Sequence, residues 1–167
     1  MITSPSGITF SHAEREDASA ILELQKLAYR SEAILNNDFS IPPLLQTIEE
    51  LLLEFDHQSV LKAEQGGRIV GSVRVRVSNG VGYIGRLIVH PDLQGMGIGS
   101  GLLRQAEMAC GEVAYWELFT GAKSERNLRL YRRHGYAQHH METLSGTLDL
   151  VFMRKSANPA LSTDQTF

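Results

Sequence analysis

The sequence predicts a mixed α/β (α+β) fold in which about four helices flank a central, mostly antiparallel sheet of six or seven strands. Three observations support this prediction. Apolar residues recur at helical spacing over residues 17–30 and 44–55. From residue 60 onward the apolar residues alternate with a period of two, which is typical of half-buried strands. Four alternating glycines, at positions 95 to 101, then separate a strand-like segment from a helix-like one.

The individual elements follow from local patterns. Residues 31–43 break the helical period and end in two prolines, which predicts a loop or a bent helix pair between the first two helices. Asn79-Gly80 is a strong hairpin signal, and Ser124 and Gly135 are suited to begin and end a late helix. The predicted strands are residues 8–11, 60–64, 69–78, 81–89, 115–120, 136–141 and 147–154, and the helices after the glycines are residues 102–113 and 124–135. We expect strands 81–89 and 115–120 to pair in parallel through a right-handed crossover.

The length, composition and charge favour one globular domain. The chain has 167 residues, of which 43% are hydrophobic, and a net charge of -3 without a long basic block. We therefore expect a single domain over residues 1–156, a loose tail over residues 157–167 and no nucleic-acid partner. The single cysteine, Cys110, allows no intrachain disulfide, and no apolar run reaches the ~20 residues of a membrane span. These features predict a cytoplasmic protein without a membrane segment.

The glycines lie where a strand turns into a helix, which is the arrangement of an anion-binding site. The first N–H groups of a helix have no partner within the helix, and they lie at the positive end of its dipole. Glycine lets the backbone approach a ligand closely, so this arrangement suits a phosphate. The spacing of the glycines at 95 to 101 does not match the Gly-x-Gly-x-x-Gly dinucleotide motif, and the chain has no Gly-Lys pair for the phosphate loop of nucleotide hydrolases, so both alternatives are disfavoured.

Two sequence blocks resemble those of the GCN5-related N-acetyltransferases (GNAT). The pattern Gln-x-x-Gly-x-Gly at residues 94–99, preceded by Leu-Ile-Val-His-Pro at 87–91, is similar to the acyl-CoA signature of that superfamily. The pattern Asn-x-x-x-Tyr-x-x-x-Gly-Tyr at residues 127–136 is similar to its following helix-and-strand block. The resemblance implies acetyl-CoA as cosubstrate, with its pyrophosphate on the glycine turn and its pantetheine arm along the preceding strand. The coenzyme-binding residues that it implies are Leu87, Ile88, Val89, Gln94, Gly95, Met96, Gly97, Ile98, Gly99, Ser100, Ser124 and Asn127.

The resemblance also implies the catalytic groups. Tyr131 matches the tyrosine that serves as general acid in many members, and a phenol with a reference pKa near ~10 is protonated at neutral pH. Members that use a side-chain base often carry a Glu on the strand before the glycine turn, where this chain has Tyr83. Glu117 on the following strand is a second candidate base, acting directly or through a water, and ordered water alone is a third.

The predicted activity is the direct transfer of an acetyl group from acetyl-CoA to a primary amine, without a covalent enzyme intermediate. We expect the acceptor site at residues 29–45, where acidic side chains attract a cationic amine. The acceptor is expected to be a small molecule or a peptide, and the resemblance leaves a homodimer open. The histidines have no acidic or cysteine partners at metal-ligand spacing, so no metal is expected. The alternative is a non-catalytic acyl-CoA-binding sensor or regulatory module.

Overall fold

The computed structural model describes residues 2–3 and 6–158, and the rest of the predicted tail, residues 159–167, lies outside this part. An eight-stranded sheet forms the centre of the molecule. Its strands are β1 (Ile2–Thr3), β2 (Thr9–His12), β3 (Ser59–Gln65), β4 (Arg68–Ser78), β5 (Val81–Val89), β6 (Tyr115–Gly121), β7 (Ala137–Ser145) and β8 (Leu148–Ser156). The helices are α1 (Ala18–Ala28), α2 (Arg30–Asn36), α3 (Pro42–Leu45), α4 (Ile48–Phe55), α5 (Ile98–Ala109) and α6 (Glu125–Arg133).

The predicted fold class is confirmed. The strand order is β1-β2-β3-β4-β5-β6-β8-β7, and every described pairing is antiparallel except the one between β5 and β6. This parallel pair was predicted, and α5 connects its two strands. β1 has only two residues, and each of the other seven strands has at least four. The short α2 and α3 occupy the segment predicted as a loop or a bent helix pair, and Pro42 begins α3 because proline suits a first helical turn.

Helices cover the sheet on both faces. On one face, the fully buried Leu102 and Leu103 of α5 pack against the inward residues of the central strands. On the other face, Ile21 of α1 and Leu51 of α4 pack together and are equally buried. Burying one such side chain contributes about 1.5–3 kcal/mol, so these contacts fix the helices on the sheet. Within the described ranges, no helix combines the length and the apolar character that a membrane crossing requires.

A buried polar cluster, formed by Gln25, Gln46, Glu54 and Arg74, joins α1, α4 and β4. Arg74 is 2% exposed, and it donates to Glu54 Oε2 at 2.6 Å, to Gln46 Oε1 at 3.2 Å and to Gln25 Oε1. Gln25 Nε2 in turn donates to the carbonyl of Pro43 at 2.9 Å. Because a buried charge is tolerated only when it is paired and hydrogen-bonded, this cluster holds α1, α3 and α4 in a fixed relation to the sheet.

Candidate active site

The sheet splits between its two parallel strands. β5 and β6 are paired only at residues 81–83 and 115–117. Farther along β5 the register with β4 shifts, so that two residues of β5, Arg86 and Leu87, oppose a single residue of β4. Arg86 has a φ of 50°, a left-handed conformation that is uncommon outside glycine. Such a bulge bends its strand, and β5 diverges from β6, leaving its edge beyond the paired residues without a strand partner.

A cavity of about 290 Å³ lies in this split. The polar side chains on its wall are Tyr29, Glu32, Asn36, Arg86, Thr120, Asn127 and Tyr131. The apolar side chains on its wall are Ile41, Pro42, Pro43, Ile84, Leu87, Phe119, Leu144, Leu148 and Leu150. A concave, mostly apolar space with a few polar groups is the usual form of a small-molecule site. Over residues 2–3 and 6–158, no three His, Cys, Asp or Glu side chains are grouped as metal ligands.

Tyr131 brings a phenol to the cavity wall from α6. Its side chain is 4% exposed, and its ring contacts that of Tyr136 edge to face at 6.1 Å between centroids. Desolvation by burial, with smaller contributions from Tyr29 and Glu32, raises the pKa of Tyr131 well above the ordinary value. The phenol therefore stays protonated throughout the physiological range. Asn127 lies one turn earlier on the same wall.

Glu32 lines the cavity, and the sequence indicated it only as one acid within residues 29–45. Its Oε1 accepts a hydrogen bond of 2.6 Å from Ser124 Oγ, across 92 positions of sequence. Its Oε2 lies close to Gly121, where an added Cβ would be 3.4 Å away. Ser124 occupies the N-cap position of α6, as predicted, but its side chain makes no capping bond. The hydroxyl is bonded to Glu32 instead, so a tertiary contact replaces the local one.

Arg86 and Tyr29 form the part of the wall next to the bulge. The guanidinium carbon of Arg86 lies 6.0 Å from the centroid of the Tyr29 ring. Desolvation by burial raises the pKa of Tyr29; Arg86 and Arg74 lower it, Glu32 raises it, and the net result is a raised pKa. The cavity wall thus carries charges of both signs beside a neutral phenol.

The glycine turn leads directly into α5. Gly95 and Gly97 have φ values of 82° and 84°, which favour glycine, and an added Cβ at either position would meet open space. The first helical bond runs from the N–H of Gly101 to the carbonyl of Gly97 at 3.0 Å. The N–H groups of residues 97–100 donate to no backbone carbonyl within the described ranges. This helix start therefore has the unpaired donors that bind an anion.

The remaining residues predicted to bind the coenzyme differ in their surroundings. Ser100 Oγ lies 2.9 Å from His134 Nε2, so its hydroxyl is engaged by a side chain of the protein. Asn127 Nδ2 donates to Thr120 Oγ1 at 3.1 Å on the cavity wall. The side chains of Ile88 and Ile98 are buried in the core, whereas Met96 is exposed and Leu87, Val89, Gln94 and Gly99 are half-buried. The buried side chains of Ile88 and Ile98 therefore leave only backbone groups at these two positions for a ligand to contact.

The two side chains predicted as candidate bases lie at the closed end of the split. Tyr83 and Glu117 are paired with each other in the parallel register, and neither lines the cavity. The guanidinium of Arg76 stacks over the Tyr83 ring at 4.1 Å. Glu117 accepts a hydrogen bond of 2.7 Å from Arg154 Nε. Both candidates therefore lie outside the cavity wall, and each contacts an arginine, Arg76 for Tyr83 and Arg154 for Glu117.

The sheet is mixed and splits between two parallel strands, with unpaired N–H groups at the helix start after one strand and a buried phenol in the split; these features are typical of an acetyltransferase fold. Residues 19–136 match the model of the acetyltransferase (GNAT) family. The chain therefore belongs to this family. No protein of curated function matches its sequence.

Solved structures share this fold at low sequence identity. PaiA N-acetyltransferase from Thermoplasma acidophilum, in complex with coenzyme A, is 17% identical with a TM-score of 0.74, over 89% of this chain and 98% of that one. YncA from Salmonella typhimurium with acetyl-CoA is 20% identical with a TM-score of 0.70, over 91% and 95%. Ribosomal-protein-alanine N-acetyltransferase from Brucella melitensis is 24% identical with a TM-score of 0.68, over 89% and 99%. These similarities establish the fold of nearly the whole chain.

Proposed function

We propose that this protein is an acetyl-CoA-dependent N-acetyltransferase that moves an acetyl group directly to a primary amine. The observation that carries the proposal is the cavity in the split between β5 and β6. Its wall holds the phenol of Tyr131 and the carboxylate of Glu32, a proton donor and a proton acceptor within one enclosed space. Membership of the family supports acetyl transfer, and this pair of side chains supports an amine as the acceptor.

The glycine turn fits the pyrophosphate of coenzyme A. The N–H groups of residues 97–100 are unpaired at the start of α5, where an anion gains both hydrogen bonds and the helix dipole. The edge of β5 that faces the split offers backbone groups to an extended pantetheine arm, as it would to an added strand. The PaiA and YncA structures, which share the fold, contain coenzyme A and acetyl-CoA respectively.

The reaction starts from a neutral amine, so an acceptor that enters as an ammonium ion first gives one proton to solvent. Acetyl-CoA supplies a thioester: a C–N bond forms to the acetyl carbon, the C–S bond breaks, the amine loses a proton and the sulfur gains one. Tyr131 donates to the departing sulfur because its raised pKa keeps the phenol protonated. Glu32 accepts the proton of the amine through Oε2, while Ser124 holds Oε1 in place. A positioned acid or base contributes about 10²–10⁴-fold to the rate.

We assign proton acceptance to Glu32 rather than to Tyr83 or Glu117, the two candidate bases of the sequence analysis. A base must come within hydrogen-bond reach of the proton that it removes. Glu32 lines the cavity, whereas Tyr83 and Glu117 do not, and Glu117 is already paired with Arg154 at 2.7 Å. Glu117 stays a candidate only if a water relays the proton between the closed end of the split and the cavity.

Replacing Tyr131 by Phe tests the proposal. We expect Tyr131→Phe to lower kcat by about 10²-fold or more, because the proton donor is lost while the ring still packs. Affinity for acetyl-CoA should stay unchanged. Coenzyme A release across a panel of amines measures turnover, and isothermal titration measures binding. Tyr136→Phe is the matched control, since Tyr136 is buried beside Tyr131 but does not line the cavity.

The same assays separate the alternatives. If Glu32 is the proton acceptor, kcat should fall more in Glu32→Gln than in Glu117→Gln. The reverse order would identify Glu117 as the base. Binding of acetyl-CoA without coenzyme A release from any amine would identify a non-catalytic acyl-CoA sensor. If acetyl-CoA does not bind at all, the assignment of the glycine turn to its pyrophosphate is wrong as well.

A further inference from the structure

The buried and half-buried cations of the described residues are paired with carboxylates, except for one that lies in the cavity. Five Lys or Arg residues are buried or half-buried, namely Lys62, Arg74, Arg86, Arg154 and Lys155. Four of these five form ion pairs with carboxylates at 3.0 Å or less. Arg86 is the exception, because no carboxylate in residues 2–3 and 6–158 lies within 4.0 Å of it. The unpaired cation is also the one on the cavity wall.

Glu32 is the corresponding unpaired anion. It lines the same cavity, and no cation within residues 2–3 and 6–158 forms an ion pair with it, Arg86 included. Among the described residues, the only side chain that donates a hydrogen bond to its carboxylate is Ser124, at Oε1. Both charges are close enough to Tyr29 to influence its pKa, so they lie on one stretch of the wall without neutralising each other.

The surroundings of Arg86 favour an anion from outside the protein. Desolvation by burial lowers the pKa of Arg74, and the like charge of Arg86 lowers it further, so the two guanidinium groups repel. Glu54 neutralises Arg74 at 2.6 Å and is not shared with Arg86. The planar guanidinium matches a carboxylate through two parallel hydrogen bonds. A carboxylate bound at Arg86 would complete the pairing that the other four partly buried cations already have.

We propose that the acetyl acceptor is a zwitterion, a small amino acid whose carboxylate binds Arg86 and whose ammonium group meets Glu32. The proposal rests on the proposed function, since it names the acceptor class of that site. The buried apolar side chains of Ile41 and Leu148 on the same wall suit an apolar side chain of the amino acid. A simple alkylamine would satisfy Glu32 and leave the half-buried Arg86 without a carboxylate partner.

Matched pairs of ligands test this inference. The probes are L-leucine with isoamylamine and L-phenylalanine with phenethylamine, each pair differing only in the carboxylate, and isocaproate serves as the acid without an amine. Isothermal titration into protein saturated with coenzyme A measures binding without turnover. We expect the amino acid of at least one pair to bind about tenfold or more tightly than its amine, because a hydrogen bond to a charged group is gained. Isocaproate should bind more weakly than L-leucine.

Arginine variants assign the preference to Arg86. Arg86→Gln should abolish the difference within a pair while leaving the affinity of the amine unchanged, and Arg86→Lys should restore part of it. Arg76→Gln is the matched control, because Arg76 is exposed on the neighbouring strand and does not line the cavity. A circular dichroism spectrum and a melting curve verify that each variant is folded.

The possible results separate the inference from the proposed function. Equal or tighter binding of the amine in both pairs, no binding of either amino acid, or a preference retained in Arg86→Gln would each overturn the zwitterion. Coenzyme A release from amines without a carboxylate would then still support the acetyltransferase. Conversely, a preference that depends on Arg86, without coenzyme A release from any acceptor, would support the zwitterion site and contradict the proposed acetyl transfer.

Discussion

The buried polar cluster and the cavity are neighbouring regions that use the same residue types in opposite ways. In the cluster, Arg74 is 2% exposed and bonded to Glu54 and two glutamines. In the cavity, Arg86 is half-buried, has a left-handed φ of 50° and lies beside Tyr29 instead of a carboxylate. Arg74 is paired with a carboxylate of the protein, although its buried Nε has no hydrogen-bond partner in the described residues, whereas Arg86 has no carboxylate partner there. Unpaired polar groups and backbone strain concentrate at functional sites, which is how we interpret this difference.

Glycine shows the same contrast along α5. Gly101 faces the core, where an added Cβ would overlap the ring of Phe10. Gly97 precedes the helix with open space around it, and its left-handed backbone leaves the next N–H groups unpaired. One glycine permits close packing, and the other shapes a surface for a ligand. Substitutions at the packed position should therefore change stability, whereas those at the open position should also change binding.

The largest effect is expected at Arg74. Arg74→Met should lower the free energy of unfolding by about 3 kcal/mol or more, because it removes the cation paired with Glu54 and the donor to two buried glutamines. Arg86→Met should change it by less than about 1 kcal/mol, since no ion pair is lost. Urea unfolding of the three proteins at neutral pH measures both effects. A loss at Arg86 as large as that at Arg74 would contradict the distinction between the two regions.

The fold was predictable because its signals are local and repeated. The period of two from residue 60, the hairpin at Asn79-Gly80 and the glycine turn each depend on a few neighbouring residues, and the structure contains the strands, turn and helix that they indicate. The parallel pairing of β5 and β6 followed from the same turn, since α5 must return the chain to the same edge of the sheet.

The acceptor side of the cavity was not predictable in the same way. Glu32 and Ser124 are 92 positions apart, and nothing in either local sequence indicates their hydrogen bond. Ser124 followed the rule for helix starts in position but not in bonding, because a tertiary partner competes with the helix for its hydroxyl. The bulge at Arg86 depends on the register between β4 and β5. These features arise from contacts across the fold, which a local pattern does not contain.

An intermediate effect is expected for a pair of glycine variants. Gly101→Ala should destabilise the protein by about 1–3 kcal/mol through overpacking against Phe10, reduced by the roughly 1 kcal/mol that alanine gains in a helix. Gly97→Ala should cost about 1–2 kcal/mol through its left-handed backbone. Of the two variants, only Gly97→Ala should weaken the binding of acetyl-CoA, as measured by isothermal titration of folded protein. A Gly101→Ala protein that is folded and loses the same affinity would show that both glycines serve the ligand.

The smallest effect is expected where a paired charge is partly open to water. Lys62 Nζ lies 2.9 Å from Asp17 Oδ2, with side chains 14% and 20% exposed. Desolvation raises the pKa of Asp17, but the hydrogen bonds from the Glu14 N–H and from Lys62 outweigh it, so that the pKa lies below its usual value of 3.8. Because the folded-state pKa is lowered, the carboxylate stabilises the protein at pH values above 3.8. This contribution is lost as the pH falls through the folded-state pKa.

Asp17→Asn should therefore lower the free energy of unfolding by less than about 1 kcal/mol at neutral pH, and the difference from the wild type should vanish in strong acid. Urea unfolding across the acid range measures it. Asp56→Asn is the matched control, because the pair of Arg15 and Asp56 is 55% and 57% exposed and should contribute still less. A difference at Asp17 that grows as the pH falls would have the wrong sign for a carboxylate stabilised by Lys62. The result would show how far solvent, rather than pairing alone, decides what an ion pair contributes in this protein.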